Sequence, residues 1–403
     1  NFFYICDIYF FNSTQTTVVN SISTTFESIH FEGTSTSRKF VIKSYLDIDV
    51  NDALGNNLSG IDIKVLEDSV TKYSTSYFGG TDPKTNSSGT IETLFIGYKE
   101  YNGSSTPTII PTYVTIRSYD WEETFTSDPS STISITVPDL RVQNIQTGTL
   151  TYYIQTAIDD AEKGDTIRVW SGTYYENIEI NKKLTVIGNG TLNTTINGNW
   201  EGSVVNISSD SVTISSFSVT ASDNSTINPY YGAGVRIYSK HNTIEQINSY
   251  GNYLGIFIEL YGDDNFIGNC TIHHNSHQGV VSKSKNLVYF KNTISYNAAR
   301  SAIIWSDNLV FKMNNVHNHS ASEGIEIYYG SNHKIVGNIF SDNYQAGIYL
   351  HGPTNTVLNN NVISNNEYGI LIDAGDSVIS IFNTTSKNNN YGLYIVHAEL
   401  ITL

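Results

Sequence analysis

From residue 234 onward, a small residue followed by an apolar-x-apolar strand recurs as Gly234-Val-Arg-Ile, Gly255-Ile-Phe-Ile, Gly279-Val-Val-Ser, Ala302-Ile-Ile-Trp, Gly324-Ile-Glu-Ile, Gly347-Ile-Tyr-Leu, Gly369-Ile-Leu-Ile and Gly392-Leu-Tyr-Ile. The intervals are 21, 24, 23, 22, 23, 22 and 23 residues. A second series, Asn269, Asn292, Asn315, Asn338, Asn361 and Asn383, runs between them at intervals of 23, 23, 23, 23 and 22. A period near 23 divides into two or three short strands with tight corners and is too short for a helix-turn-helix repeat. It predicts a parallel β-solenoid whose coils stack at about 4.8 Å, so that equivalent side chains lie above one another. Asn at a fixed inward corner then forms an amide ladder, and these six are the expected members.

The residue two past each small residue should point outward. Those positions are Arg236, Phe257, Val281, Ile304, Glu326, Tyr349, Leu371 and Tyr394, six of them apolar or aromatic where a solvated strand would be polar. Stacked, they predict an apolar stripe, the mark of an interface with protein or with a sugar platform. Upstream, Ile154, Ala157, Ile158 and Ala161 stand at i, i+3, i+4 and i+7, one apolar stripe of a short helix that caps the solenoid. Residues 38–141 alternate in short strands broken by Gly/Asn turns, as in Tyr45 to Val65, which suggests an immunoglobulin-like β-sandwich. Residues 1–37 are strand-rich but too short for a core, with Asp7-Ile-Tyr-Phe standing where Gly347-Ile-Tyr-Leu stands later.

Gly164-Asp-Thr-Ile-Arg-Val, Gly172-Thr-Tyr-Tyr-Glu-Asn-Ile-Glu-Ile and Lys183-Leu-Thr-Val-Ile-Gly-Asn-Gly, following the helix, complete a pattern over residues 142–403. In this region the chain resembles right-handed parallel β-helix proteins of the NosD-like and pectin-lyase-like kind. The resemblance implies an all-β fold, a right-handed parallel β-helix beside the sandwich, and leaves activity open, because this fold hosts lyases, hydrolases, adhesins and structural proteins. The sandwich resembles the carboxypeptidase-regulatory-like modules of archaeal surface proteins.

Composition narrows the partners. With 38 acidic and 22 basic residues, a formal charge of −16 and six scattered arginines, the chain lacks the cationic surface that nucleic acid requires. No apolar run reaches the length of a membrane helix. Charged residues are only 15%, so the surface is built from Asn, Ser, Thr and Tyr. Asn-x-Ser/Thr triplets at Asn12, Asn57, Asn86, Asn102, Asn189, Asn193, Asn206, Asn224 and Asn318 suit glycosylation of an extracellular protein, while those at Asn269 and Asn383 are discounted as ladder members. Cys6 and Cys270 are expected to be buried free thiols.

Catalytic signals are sparse. Enzymes of the resembled family imply clustered Asp or a Gly-His-Gly segment, and neither is found; Asp263 and Asp264 lack acidic neighbours one coil away, and Asp373 and Asp376 lie five coils on. His273, His274 and His277 form a His-His-x-x-His cluster, but His317 and His319 lie two coils, roughly 9.6 Å, beyond it, too far to share one metal. No cofactor is expected, and no motif supports Ca2+. The chain stops inside a strand at Leu400 to Leu403, and an uncapped coil is a template for pairing. The resulting expectation is a non-enzymatic subunit of an extracellular filament or S-layer-like assembly. Copies would join head to tail through Phe3, Ile5, Ile8 and Phe10 against Leu400 and Leu403, with the outward stripe as lateral interface. Counting from Gly392 through Leu403 and on to Asp7 gives 18 residues, short of one period, so a shorter closing coil would be needed. The alternative is a carbohydrate-binding adhesin or a polysaccharide lyase or hydrolase acting on the β-helix face.

Overall fold

A computed structural model describes the chain except residues 1–7, 11–16, 23–28, 32–37, 53–54, 103–105, 128–131, 225–231 and 376. The chain divides into two compact units, residues 1–140 and 141–403.

In the first unit, strands Asp62–Glu67, Val70–Ser74, Thr112–Ser118 and Trp121–Ser127 form an antiparallel sheet, and Thr17–Ile22, Arg38–Leu46, Leu94–Asn102 and Thr108–Ile109 form a mixed one. Alternation explains the burial: Val114 and Ile116 are enclosed while Thr115 and Arg117, which alternate with them, are not. Ile8 pairs with Ile29 and Thr17 with Arg38, both in parallel and both 21 residues apart, the spacing of one solenoid coil.

The second unit is a right-handed parallel β-helix of three strands per coil. First and second strands merge into one 21-stranded sheet, and ten third strands stack into another. The helix Ile154–Asp160 covers its start with Ile154, Ala157 and Ile158. Its first amides are met by the Glu176 carboxylate, and Lys182 Nζ donates to the carbonyls of Ile158, Asp159 and Ala161 at its other end, each charge facing the pole that favours it. The interior is a continuous column of Ile, Val, Leu and Phe.

Two amide ladders stitch the corners. Asn292, Asn314, Asn338 and Asn361 form one between the first and second strands: each Oδ1 accepts the main-chain amide of the residue one coil earlier, beginning with Cys270. Of the six expected members, Asn292, Asn338 and Asn361 hold these places. Asn269, Asn315 and Asn383 are each displaced by one residue: Asn269 and Asn383 are exposed corners with φ of 53° and 47°, and Asn315 begins a strand. A second ladder, missed in the sequence, runs through Asn252, Asn275, Asn297, Asn343, Asn366 and Asn389 between the second and third strands. Gly255, Gly279 and Gly347 sit beside it because a Cβ there would come within 2.4 to 2.6 Å of ladder or core atoms.

His319 interrupts the second ladder. Its Nε2 hydrogen-bonds the Ile294 carbonyl, as the Asn297 amide does that of Ile272, but its Nδ1 and the Asn343 Oδ1 are buried without partners. Burial pushes the imidazole down to about 4. His319→Asn is therefore expected to stabilise the unit by about 1–3 kcal/mol by satisfying both groups. Because the unfolded histidine takes up its proton at higher pH than the folded one, the wild type loses stability as pH falls from 6.5 towards 4. Melting curves across that range should show the variant's advantage growing on acidification; a constant or negative difference would refute the ladder account.

Candidate functional site

The third-strand sheet carries its outward side chains in strict register. Arg236, Phe257, Val281, Ile303, Glu326, Tyr349, Leu371 and Tyr394 follow one another coil by coil. Ile303, not Ile304, is the outward member; Ile304 lies in the core, because the small residue equivalent to Gly279 is Ser301 rather than Ala302. The stripe is also not open to solvent. Phe257, Val281 and Leu371 are buried, the first two packed with Tyr253 and Leu254 and against Trp305. Tyr349 is half-buried, and Tyr394, Leu400 and Leu403 are exposed in the last coils.

Phe3, Ile5, Asn12 and Cys6 lie outside the described residues, while Ile8 and Phe10 belong to the strand paired with Ile29–Phe31. Asn57, Asn86, Asn102, Asn189, Asn193 and Asn224 are exposed, and Asn206 and Asn318 half-buried. Cys270 is a buried free thiol whose pKa burial pushes up to about 12.

Where the stripe turns polar, a charged cluster forms. Arg300 Nε donates to Glu323 Oε2 at 3.2 Å and lies 2.6 Å from Glu326 Oε2, which makes no hydrogen bond although Glu326 is only 1% exposed. Burial holds the Glu326 carboxyl above the usual glutamate range, against the lowering effect of the Tyr328 hydroxyl and of Arg300. Tyr328 is in turn pushed up to about 12, by burial and by the neighbouring Glu326 carboxyl, and so remains a protonated phenol. Its ring stacks on Trp305 at 5.3 Å and lies 4.8 Å from His351, which also stacks on Tyr349 at 5.5 Å. His351 pairs in register with Asp373, whose carboxylate meets His397 Nδ1 at 2.8 Å.

Trp305 and Tyr328 form one wall of a groove of about 440 Å³ whose other walls include Tyr261, Lys283, Lys285 and Tyr329. An aromatic ledge with a few converging polar groups is the composition of a ligand site. Sequence reading passed over this cluster because it sought aspartates stacked on adjacent coils. Arg300 precedes its strand in the preceding coil, and only the coil geometry brings it to Glu323 and Glu326. Glu326 and Tyr349, one coil apart in the outward column, were the available signal.

Residues 258–402 match the family model of the right handed beta helix region. No curated protein matches the chain. Among solved structures, it is similar to the A-module of a mannuronan C-5 epimerase from Azotobacter vinelandii (12% identity, 61% of this chain and 94% of that one, TM-score 0.45). It is similar also to an alginate lyase from Paenibacillus sp. (15%, 61% and 96%, 0.46) and to the pectate lyase Pel9A (14%, 61% and 72%, 0.47). At such identities the likeness concerns the coil architecture. The expectation of a non-enzymatic chain is nevertheless corrected: the solved structures that share this coil architecture are an epimerase and two lyases, so the fold gives no ground for excluding an enzyme.

Proposed function

We propose that the chain binds a polysaccharide along the third-strand face and acts on it by acid–base catalysis, with Tyr328 as proton donor and His351 as proton acceptor. The observation that carries this is Tyr328 itself: its ring walls the groove while burial and the neighbouring Glu326 carboxyl keep its hydroxyl protonated. A phenol kept protonated, 4.8 Å ring to ring from an imidazole, can deliver a proton to a departing glycosidic oxygen while the imidazole removes one from the sugar. Glu326 and Arg300 lie beneath and act as positioning residues, aiming the hydroxyl. Trp305 and Tyr329 offer flat faces to sugar rings laid along the solenoid axis. An extracellular substrate, and N-glycans on the exposed Asn-x-Ser/Thr triplets, belong to the same proposal.

The test is incubation of the full chain with neutral and acidic polysaccharides, following both unsaturated products by ultraviolet absorbance and new reducing ends. Depolymerisation of one class, with Trp305→Ala raising KM roughly 10-fold through loss of a stacking face, supports the reading. No product and no binding to any of them would overturn it.

A further inference from the structure

A second constellation lies on the face of the second strands, away from the third-strand groove. His273 ends the strand Thr271–His273, and His274 follows at the corner with φ of 50°. Their Nδ1 atoms are 2.7 Å apart. The direction of the hydrogen bonds behind them is settled by a main-chain carbonyl, which can only accept. Ser218 Oγ donates to Thr191 O at 2.7 Å, Asn248 Nδ2 donates to Ser218 Oγ at 3.0 Å, and Asn248 Oδ1 therefore accepts from His273 Nε2 at 2.9 Å. His273 thus carries its proton on Nε2 and directs the Nδ1 lone pair at its neighbour. Both rings are held by stacking, His273 on Tyr250 at 5.6 Å and 8°, His274 on Tyr296 at 5.2 Å and 16°.

We propose that His273 and His274 form a two-imidazole site, through their Nδ1 atoms, for a divalent transition ion of the zinc, nickel and copper kind. An imidazole whose far nitrogen donates to a carbonyl oxygen is how metal-bound histidines are oriented, and the Thr191–Ser218–Asn248 relay does this across successive coils. Without an ion, His274 Nδ1–H donates to His273 Nδ1. To bind one, the exposed His274 moves that proton to Nε2, so both Nδ1 lone pairs converge with no net loss of a proton. Nitrogen ligands at 2.0 to 2.1 Å around a tetrahedral ion are about 3.3 Å apart, so the rings need to open by roughly 0.6 Å, which the corner allows. Among the described residues no group of three or more His, Cys, Asp or Glu could hold a metal, so water fills the remaining positions and leaves them exchangeable. His277 takes no part: it stacks on Tyr253 at 4.9 Å.

The experiment is calorimetric titration of the full chain with ZnCl2 at neutral pH, with Co2+ absorption as the spectroscopic readout. One ion per chain is expected, lost in His273→Ala and in His274→Ala and retained in His317→Ala. Asn248→Ala, which frees the tautomer but removes no ligand, should weaken binding 10- to 100-fold. Absence of saturable binding, or binding undiminished in the double His273→Ala/His274→Ala variant, would overturn the proposal. Unchanged depolymerising activity with and without Zn2+ is expected, because Tyr328 and His351 belong to the other sheet.

Discussion

Tyr328→Phe is expected to lower turnover by about 10²- to 10⁴-fold, the range set by loss of a positioned proton donor. The substitution keeps the ring, and with it the stack on Trp305 and the contact with His351, so KM should change little. His351→Ala should lose comparable turnover by removing the acceptor. Glu326→Gln separates positioning from chemistry. Gln keeps an acceptor of the same size beside Tyr328, so turnover should fall far less than in Tyr328→Phe, while the buried carboxyl and its pH dependence disappear. The folded glutamate has a raised pKa, so its stabilising contribution is complete below the ordinary glutamate value and is lost as pH rises through the elevated one. Glu326→Gln should therefore compare better with the wild type at neutral pH than at pH 4, a trend that melting curves across that range check. A variant in which Tyr328→Phe retains full turnover removes the phenol from the mechanism.

Asn338→Ala should be strongly damaging to the solenoid, at about 3–5 kcal/mol. Its Oδ1 accepts from Asn314 N and Nδ2 at 2.8 and 3.1 Å, and its Nδ2 donates to Phe311 O at 2.8 Å and Asn361 Oδ1 at 3.0 Å. Truncation leaves the Asn314 amide and the Phe311 carbonyl buried without partners, each costing about 1–3 kcal/mol. Asn315→Ala, one residue past the ladder and half-buried at a strand start, should cost no more than about 0.5 kcal/mol. Chemical denaturation of the two variants decides the register: equal losses would mean that the amide column does not carry the corner.

The period of 23, the capping helix and the all-β class are legible in the residues alone, because each follows from spacing of apolar positions that any backbone of that type must satisfy. The ladder register was legible only to within one residue, and the reason is physical. Each corner places a left-handed residue directly before the inward one, as in Lys291–Asn292, Met313–Asn314 and Asn360–Asn361. Asn suits both places, the first by tolerating positive φ and the second by bridging coils with its amide. Hence Asn269 and Asn383 look like ladder members, whereas the inward residues are Cys270 and Thr384. The same slip, at Ala302 against Ser301, turned Ile304 outward when it belongs to the core. Burial of the outward stripe was illegible for a different reason: Phe257 and Val281 are covered by Tyr253, Leu254 and Trp305 from corners and neighbouring coils. The periodicity of one strand says which face a side chain takes, and says nothing of what lies above it.

The sequence by itself determined the coil, its length of about 23 residues and its stacking. The tertiary structure alone placed the groups on which the proposals rest: it brought Arg300 beside Glu323 and Glu326, set His351 against Tyr328 and Glu326, and turned two adjacent histidine nitrogens towards each other. Contacts across coils depend on corner conformations that shift by one residue without altering the repeat, so they follow from the folded geometry and not from the period.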